Sequence, residues 1–214
     1  MTFHGWPEEA LDFYDGLEAD NSRAYWTAHS ATYESSVLGP MAELVDELAP
    51  DFGAGKIFRP HRDLRFSQDK SPYKTAIAAV IGDGYVRLSA RGLAAGSGMY
   101  SMAPDQLERY RQAVASEVPG RELAAVISAA RRHKIDIHGH EVLKTAPRGY
   151  PADHPRIELL RYKGVLAWRE WPVEPWLTTA AAKEHITGFL VATRPLTAWL
   201  AEHVGASTVI PARR

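Results

Sequence analysis

The chain has 214 residues, 45% hydrophobic and 24% charged, with a net charge of −1. That is enough apolar material for a packed core, and too balanced a charge for a disordered chain or a general polyanion binder. It holds no cysteine, which excludes disulfides, thiolate nucleophiles and sulfur-ligated zinc, and fits a reducing compartment. The opening MTFHGWPEEALDFYDGL has neither the basic nor the apolar region of a secretory leader, and no apolar run approaches the roughly 18 residues of a membrane span. A soluble, cytoplasmic protein without a membrane partner is expected.

Pro7, followed by Glu8 and Glu9, reads as a helix start, since proline is tolerated at N1 and acids suit the positive end of the dipole. Leu11, Phe13, Tyr14 and Leu17 form its stripe. Asn21 or Ser22 caps a second helix carrying Trp26, Tyr33 and Val37, and Gly39-Pro40 is expected to break it before a third with Met41, Leu44, Val45 and Leu48. Residues 57–58 and 64–66 read as extended. Residues 75–81 and 85–89 are apolar runs joined by Gly82-Asp83-Gly84, a hairpin signal, and 93–100 reads as a further strand.

Pro104-Asp105 opens another helix, which Pro119-Gly120 is expected to separate from one over 122–132. Residues 135–143, interrupted at Gly139, read as a short hairpin. A loop at 147–155, a short helix at 157–161, a strand at 165–171 and a helix over 176–204 follow, the last open to bending at Pro195. The expected fold class is α+β, a single domain with a central, mostly antiparallel sheet flanked by helices. Helices occupy about 7–48, the strand-rich centre about 56–100 and a mixed part 104–204, with a tail over 205–214.

The near-neutral charge hides a segregation. Residues 56–74 carry six Lys/Arg against Asp63 and Asp69, and residues 144–163 carry five against Asp153 and Glu158, so the remainder is strongly acidic. Such a distribution points to one local cationic site.

Around the first block the chain reads Arg62-Asp63-Leu64-Arg65-Phe66-Ser67-Gln68-Asp69-Lys70-Ser71-Pro72-Tyr73-Lys74. This resembles the domain of unknown function family 2461, marked by a core of the type RDxRFSxDKxPYK. Asn21-Ser22-Arg23-Ala24-Tyr25-Trp26 is similar to the family's N-terminal Asn-x-Arg-x-aromatic-aromatic segment, with Tyr-Trp where Trp-Phe is more usual. Leu143–Tyr150, Asp153-His154-Pro155 and 159–163 resemble its C-terminal block. The resemblance covers nearly the whole chain and implies no assigned reaction.

If 57–66 is extended, Arg59, His61, Asp63 and Arg65 share one face and Phe58, Arg62, Leu64 and Phe66 the other, with Pro60 disturbing the register. Asp63 can take a bidentate pair from one arginine and leave another for a ligand. Ser67, Asp69, Ser71 and Pro72 suit a turn that presents backbone N–H groups, Lys70 and Lys74 toward one point, where phosphate or carboxylate is the natural guest.

Two readings follow. In the first, a concave cationic site binds a phosphate-bearing small molecule or a nucleic-acid end through Arg59, Arg62, Arg65, Lys70, Lys74, Arg148 and Arg161. His61 with Asp63 would transfer protons if the protein is an enzyme. In the second, the protein is a non-catalytic scaffold or interaction domain: the charged motif is an internal network and the Trp-rich stretch 168–176 meets a partner. No cofactor is implied. His138-Gly139-His140-Glu141 lacks a third ligand, so no metal site is expected. Gly96-Ser97-Gly98 lacks the Gly-Lys-Ser/Thr that would follow in a phosphate loop.

Overall fold

The computed structural model describes residues 2–63, 65 and 68–209. Its helices are α1 (Glu8–Ala19), α2 (Arg23–Thr32), α3 (Gly39–Phe52), α4 (Pro104–Ala115), α5 (Glu117–Arg132), α6 (Ile157–Leu160) and α7 (Ala181–His203). Its strands are β1 (Gly55–Ile57), β2 (Ala76–Ile81), β3 (Gly84–Ser89), β4 (Gly92–Met99), β5 (Asp136–Val142) and β6 (Tyr162–Trp171). They form a six-stranded antiparallel sheet in the order β1-β2-β3-β4-β6-β5, so the fold is α+β. By internal contacts the chain divides into two compact units, Met1–Ala95 with Glu170–Gly188 and Gly96–Arg169 with Phe189–Arg214. Among the described residues no helix is long and apolar enough to cross a membrane.

In the first unit, Pro7 sits at the N-cap of α1, with Glu8 and Glu9 in the first turn as the dipole favours. Ser22 caps α2 by accepting from the Tyr25 N–H at 3.1 Å. The helix break expected at Gly39-Pro40 does not occur. A π-helical turn, Tyr33–Leu38, leads from α2 into α3, and Gly39 keeps helical angles while its N–H reaches the Glu34 carbonyl. The wider turn changes the hydrogen-bond register just where Pro40 has no donor to offer, so the helical path continues.

β2 and β3 pair from Ala76↔Ser89 to Ile81↔Gly84. Gly82, at φ +54, takes a left-handed position in the two-residue turn. A side chain there would run into the Phe52 carbonyl oxygen. Along β2, Ile77, Ala79 and Ile81 are buried while Ala76, Ala78 and Val80 are more open. The buried row joins Leu44, Leu48, Val86 and Leu88 in the core, where each large aliphatic side chain contributes about 1.5–3 kcal/mol. The opposite row of β2 sets Ala76, Ala78 and Val80 on the outer face of this hairpin, where β3 adds Tyr85 and Arg87.

In the second unit, the boundary between α4 and α5 falls at Ser116, whose ψ of 148° is extended, and not at Pro119-Gly120 as expected. Pro119 lies in the first turn of α5, where its missing N–H would have had no helical partner. The hairpin expected over 135–143 is likewise corrected. β5 is a single strand paired with β6 from Asp136↔Trp168 to Val142↔Tyr162. Gly139 is there because a Cβ would strike the Tyr162 ring, so it marks a close approach and not a turn. The extended run expected at 64–66 includes Leu64 and Phe66, which lie outside the described residues.

Candidate anion-binding site

In the first unit, residues 60–62 and 72–74 run antiparallel. The Arg62 N–H donates to the Pro72 carbonyl at 2.9 Å, the Lys74 N–H donates to the Pro60 carbonyl at 2.8 Å, and His61 bridges Tyr73. The cation-rich motif is therefore an excursion closed at its base. Asn21 secures that base from outside. Its amide donates to the Tyr73 carbonyl at 3.1 Å and its side-chain oxygen accepts the Tyr73 N–H at 3.0 Å, as a neighbouring strand would. Trp26 stacks on Tyr73 with centroids 4.3 Å apart and planes 8° apart. The N-terminal segment that carries part of the family resemblance thus pins the motif.

Within the excursion both carboxylates are engaged. Asp63 accepts from Arg65 in a bidentate pair, Nε to Oδ1 at 3.0 Å and Nη2 to Oδ2 at 2.6 Å. The Arg65 side-chain and backbone donors hold the Asp63 carboxyl at about 2, well below its ordinary 3.8. Asp69 accepts from the Ser71 hydroxyl at 2.6 Å, the Ser71 N–H at 2.9 Å and the Arg62 guanidinium, which together also hold it at about 2. The two aspartates thus take up Arg62 and Arg65. Asp63, offered by the sequence as the partner of His61, is occupied by Arg65 instead. His61 is exposed and lies 5.2 Å from the Tyr73 ring, centroid to centroid.

Arg59 and Lys74 differ. Lys74 is half-buried, and its ammonium donates to the Arg59 carbonyl at 2.9 Å and stands 5.5 Å from the centroid of the Phe58 ring. Burial, with Arg59 adding to it, lowers the Lys74 pKa. Among the described residues neither Lys74 nor the exposed Arg59 guanidinium is within ion-pair distance of a carboxylate, although Arg59 is near enough to Asp63 to help lower its pKa. Lys74 and Arg62 line a concavity of about 520 Å³ on the outer face of β2 and β3, together with Phe58, Thr75, Ala76, Ala78 and Tyr85. Lys70 is exposed on the excursion and has interactions of its own.

The remaining two candidates lie in the second unit. Arg161 donates from Nε to the Leu143 carbonyl at 2.5 Å and pairs with Glu158 at 3.1 Å. Arg148 is exposed on the loop that follows the buried Pro147. Other cations of this block are fixtures as well: Lys163 pairs with Glu141 at 3.0 Å. Arg156 donates to the carbonyls of Val114, Ala115 and Ser116 at 2.7–3.1 Å, closing the C-terminus of α4. His138 contacts Asp136 at 3.0 Å and His140 stacks on Tyr100. Among the described residues no group of three or more His, Asp or Glu is placed to hold a metal.

The sequence reasoning missed Phe58, Thr75, Ala76, Ala78 and Tyr85 as walls of a site. The available signal was the alternation in β2 and β3, which sets two alanines and a tyrosine on the outward rows beside the cations.

No curated protein and no solved structure matches the chain. The family model described as Conserved hypothetical protein (DUF2461) matches residues 9–199, which include both cation-rich stretches and the Asn21–Trp26 segment. Along nearly nine-tenths of its length, then, the sequence follows one family pattern, and the chain belongs to the DUF2461 family.

Proposed function

We propose that the first unit binds the phosphate of a small molecule or of a nucleic-acid end in the concavity beside Lys74, with Arg59 and the paired Arg62 adding positive potential. The observation that carries this reading is the state of Lys74. A half-buried ammonium sits near a second cation, lowered in pKa, with a backbone carbonyl and a ring for company and no carboxylate among the described residues. Holding like charges together raises the energy of the empty site, and a bound anion offsets it. The Thr75 hydroxyl on the same wall can donate a further hydrogen bond. The lack of cysteine suits a reducing compartment, and we place this activity in the cytoplasm.

A second reading, in which the motif is only a structural network, is favoured by the Arg62–Asp69 and Arg65–Asp63 pairs and by the clamp from Asn21. Thermal unfolding in rising inorganic phosphate and pyrophosphate separates the two. Site binding raises Tm by mass action, and Lys74→Met removes that rise while the unliganded Tm stays close to the parent value. A Tm insensitive to both anions, or an equal rise in Lys74→Met, supports the network reading.

A further inference from the structure

The concavity has a second chemical character besides its charge. At about 520 Å³ it lies within the ~300–1,000 Å³ range of small-molecule sites and offers far more room than a phosphate group fills. Beside the cations, with the Lys74 ammonium 5.5 Å from the Phe58 ring centroid, part of the lining is apolar. Phe58 and Tyr85 stand with ring centroids 6.5 Å apart and planes 43° apart, forming an open V. The outward row of β2 places only methyl groups, Ala76 and Ala78, along the same surface. Phe58 is 36% exposed, so part of its surface is open to a guest. Its N–H donates to the Ala78 carbonyl at 2.9 Å, so its backbone is held against β2.

We infer that the guest is a nucleoside phosphate: its base packs against the Phe58–Tyr85 wall over Ala76 and Ala78, and its phosphate meets Lys74 with Arg59 beside it. This inference rests on the anion-site reading above and adds the identity of the ring. An aromatic wall suits any flat, polarizable base and gives less to a sugar phosphate, which has no ring face to set against it. Free nucleotides and the 5′-phosphorylated end of a single strand present the same chemistry to such a wall.

Calorimetric titration of the full chain with ribose 5-phosphate, AMP, UMP and a 5′-phosphorylated tetranucleotide tests it. The expected result is that AMP and UMP bind at least tenfold more tightly than ribose 5-phosphate, since one stacked base carries about that factor. Phe58→Ala should remove the advantage and leave ribose 5-phosphate binding intact, while Phe58→Trp should restore it, which separates loss of the ring from loss of the fold. A tetranucleotide that binds more tightly than AMP assigns the site to strand ends; one that binds more weakly assigns it to free nucleotides. Equal affinity for AMP and ribose 5-phosphate, or an advantage that survives Phe58→Ala, overturns the ring assignment while the anion site stands. No binding of any phosphate compound at millimolar concentration overturns both.

Discussion

Within residues 144–163, Arg156 aims its donors at three carbonyls that close α4, Arg161 donates to the Leu143 carbonyl and to Glu158, and Lys163 pairs with Glu141. Within residues 56–74, the two aspartates take up Arg62 and Arg65, and the Lys74 ammonium is left on the rim of a concavity. Both stretches read as cationic in the sequence. One directs its charge to backbone carbonyls and neighbouring carboxylates; the other holds some of it beside an open wall. A guanidinium aimed at a helix C-terminus belongs to the fold whatever the local charge count. An ammonium whose partners are a ring and a single carbonyl is the better ligand candidate.

That contrast can be broken in three places. The largest effect is expected from Arg156→Ala. Its side chain is 14% exposed and serves three carbonyls, so urea unfolding should show a loss of about 2–4 kcal/mol, and phosphate binding by the folded fraction should be unchanged. A neutral Arg156→Ala would mean that the second stretch is not structural.

Asn21→Ala comes next, because it removes both hydrogen bonds to the Tyr73 backbone. We expect about 1–2 kcal/mol of lost stability, faster amide exchange across 60–62 and 72–74, and weaker phosphate binding although Asn21 touches no ligand. Unchanged exchange there would show that the excursion holds itself.

The smallest effect is expected from acid. The folded-state pKa values of Asp63 and Asp69 are depressed from an ordinary 3.8 to about 2, so what they contribute is fully present above pH 4 and is lost as pH falls through 2. Both groups are exposed, so the change should be local: chemical shifts of Arg65 and Ser71 move in that window while global unfolding is little affected. Asp69→Asn should abolish the Ser71 titration. A Ser71 transition near pH 4 would contradict the pairing.

Much of the fold was legible because its signals are local: Pro7 with two acids, Ser22 as a cap, and the Gly82-Asp83 turn between alternating strands. The misread points were prolines and a glycine whose meaning depends on position. Pro40 and Pro119 resemble breaks, yet each sits in the first turn of a helix, where a missing N–H is harmless. Gly139 resembles a turn, yet it makes room for a ring on the neighbouring strand. The cations of the site were legible for the same reason, being clustered along the chain. Their partners were not, since Asp63 turns to Arg65 and not to His61, and the aromatic wall arises only once β1, β2 and β3 are in register.

The central claim is that phosphate is received in the first unit, beside Lys74. Titrating inorganic phosphate into the ¹⁵N-labelled chain and following its amide spectrum tests this most directly. The account predicts shifts concentrated at Phe58, Arg59, Lys74, Thr75 and Ala76, lost in Lys74→Met. Shifts centred on Arg148 and Arg161, or none at saturating phosphate, would contradict it.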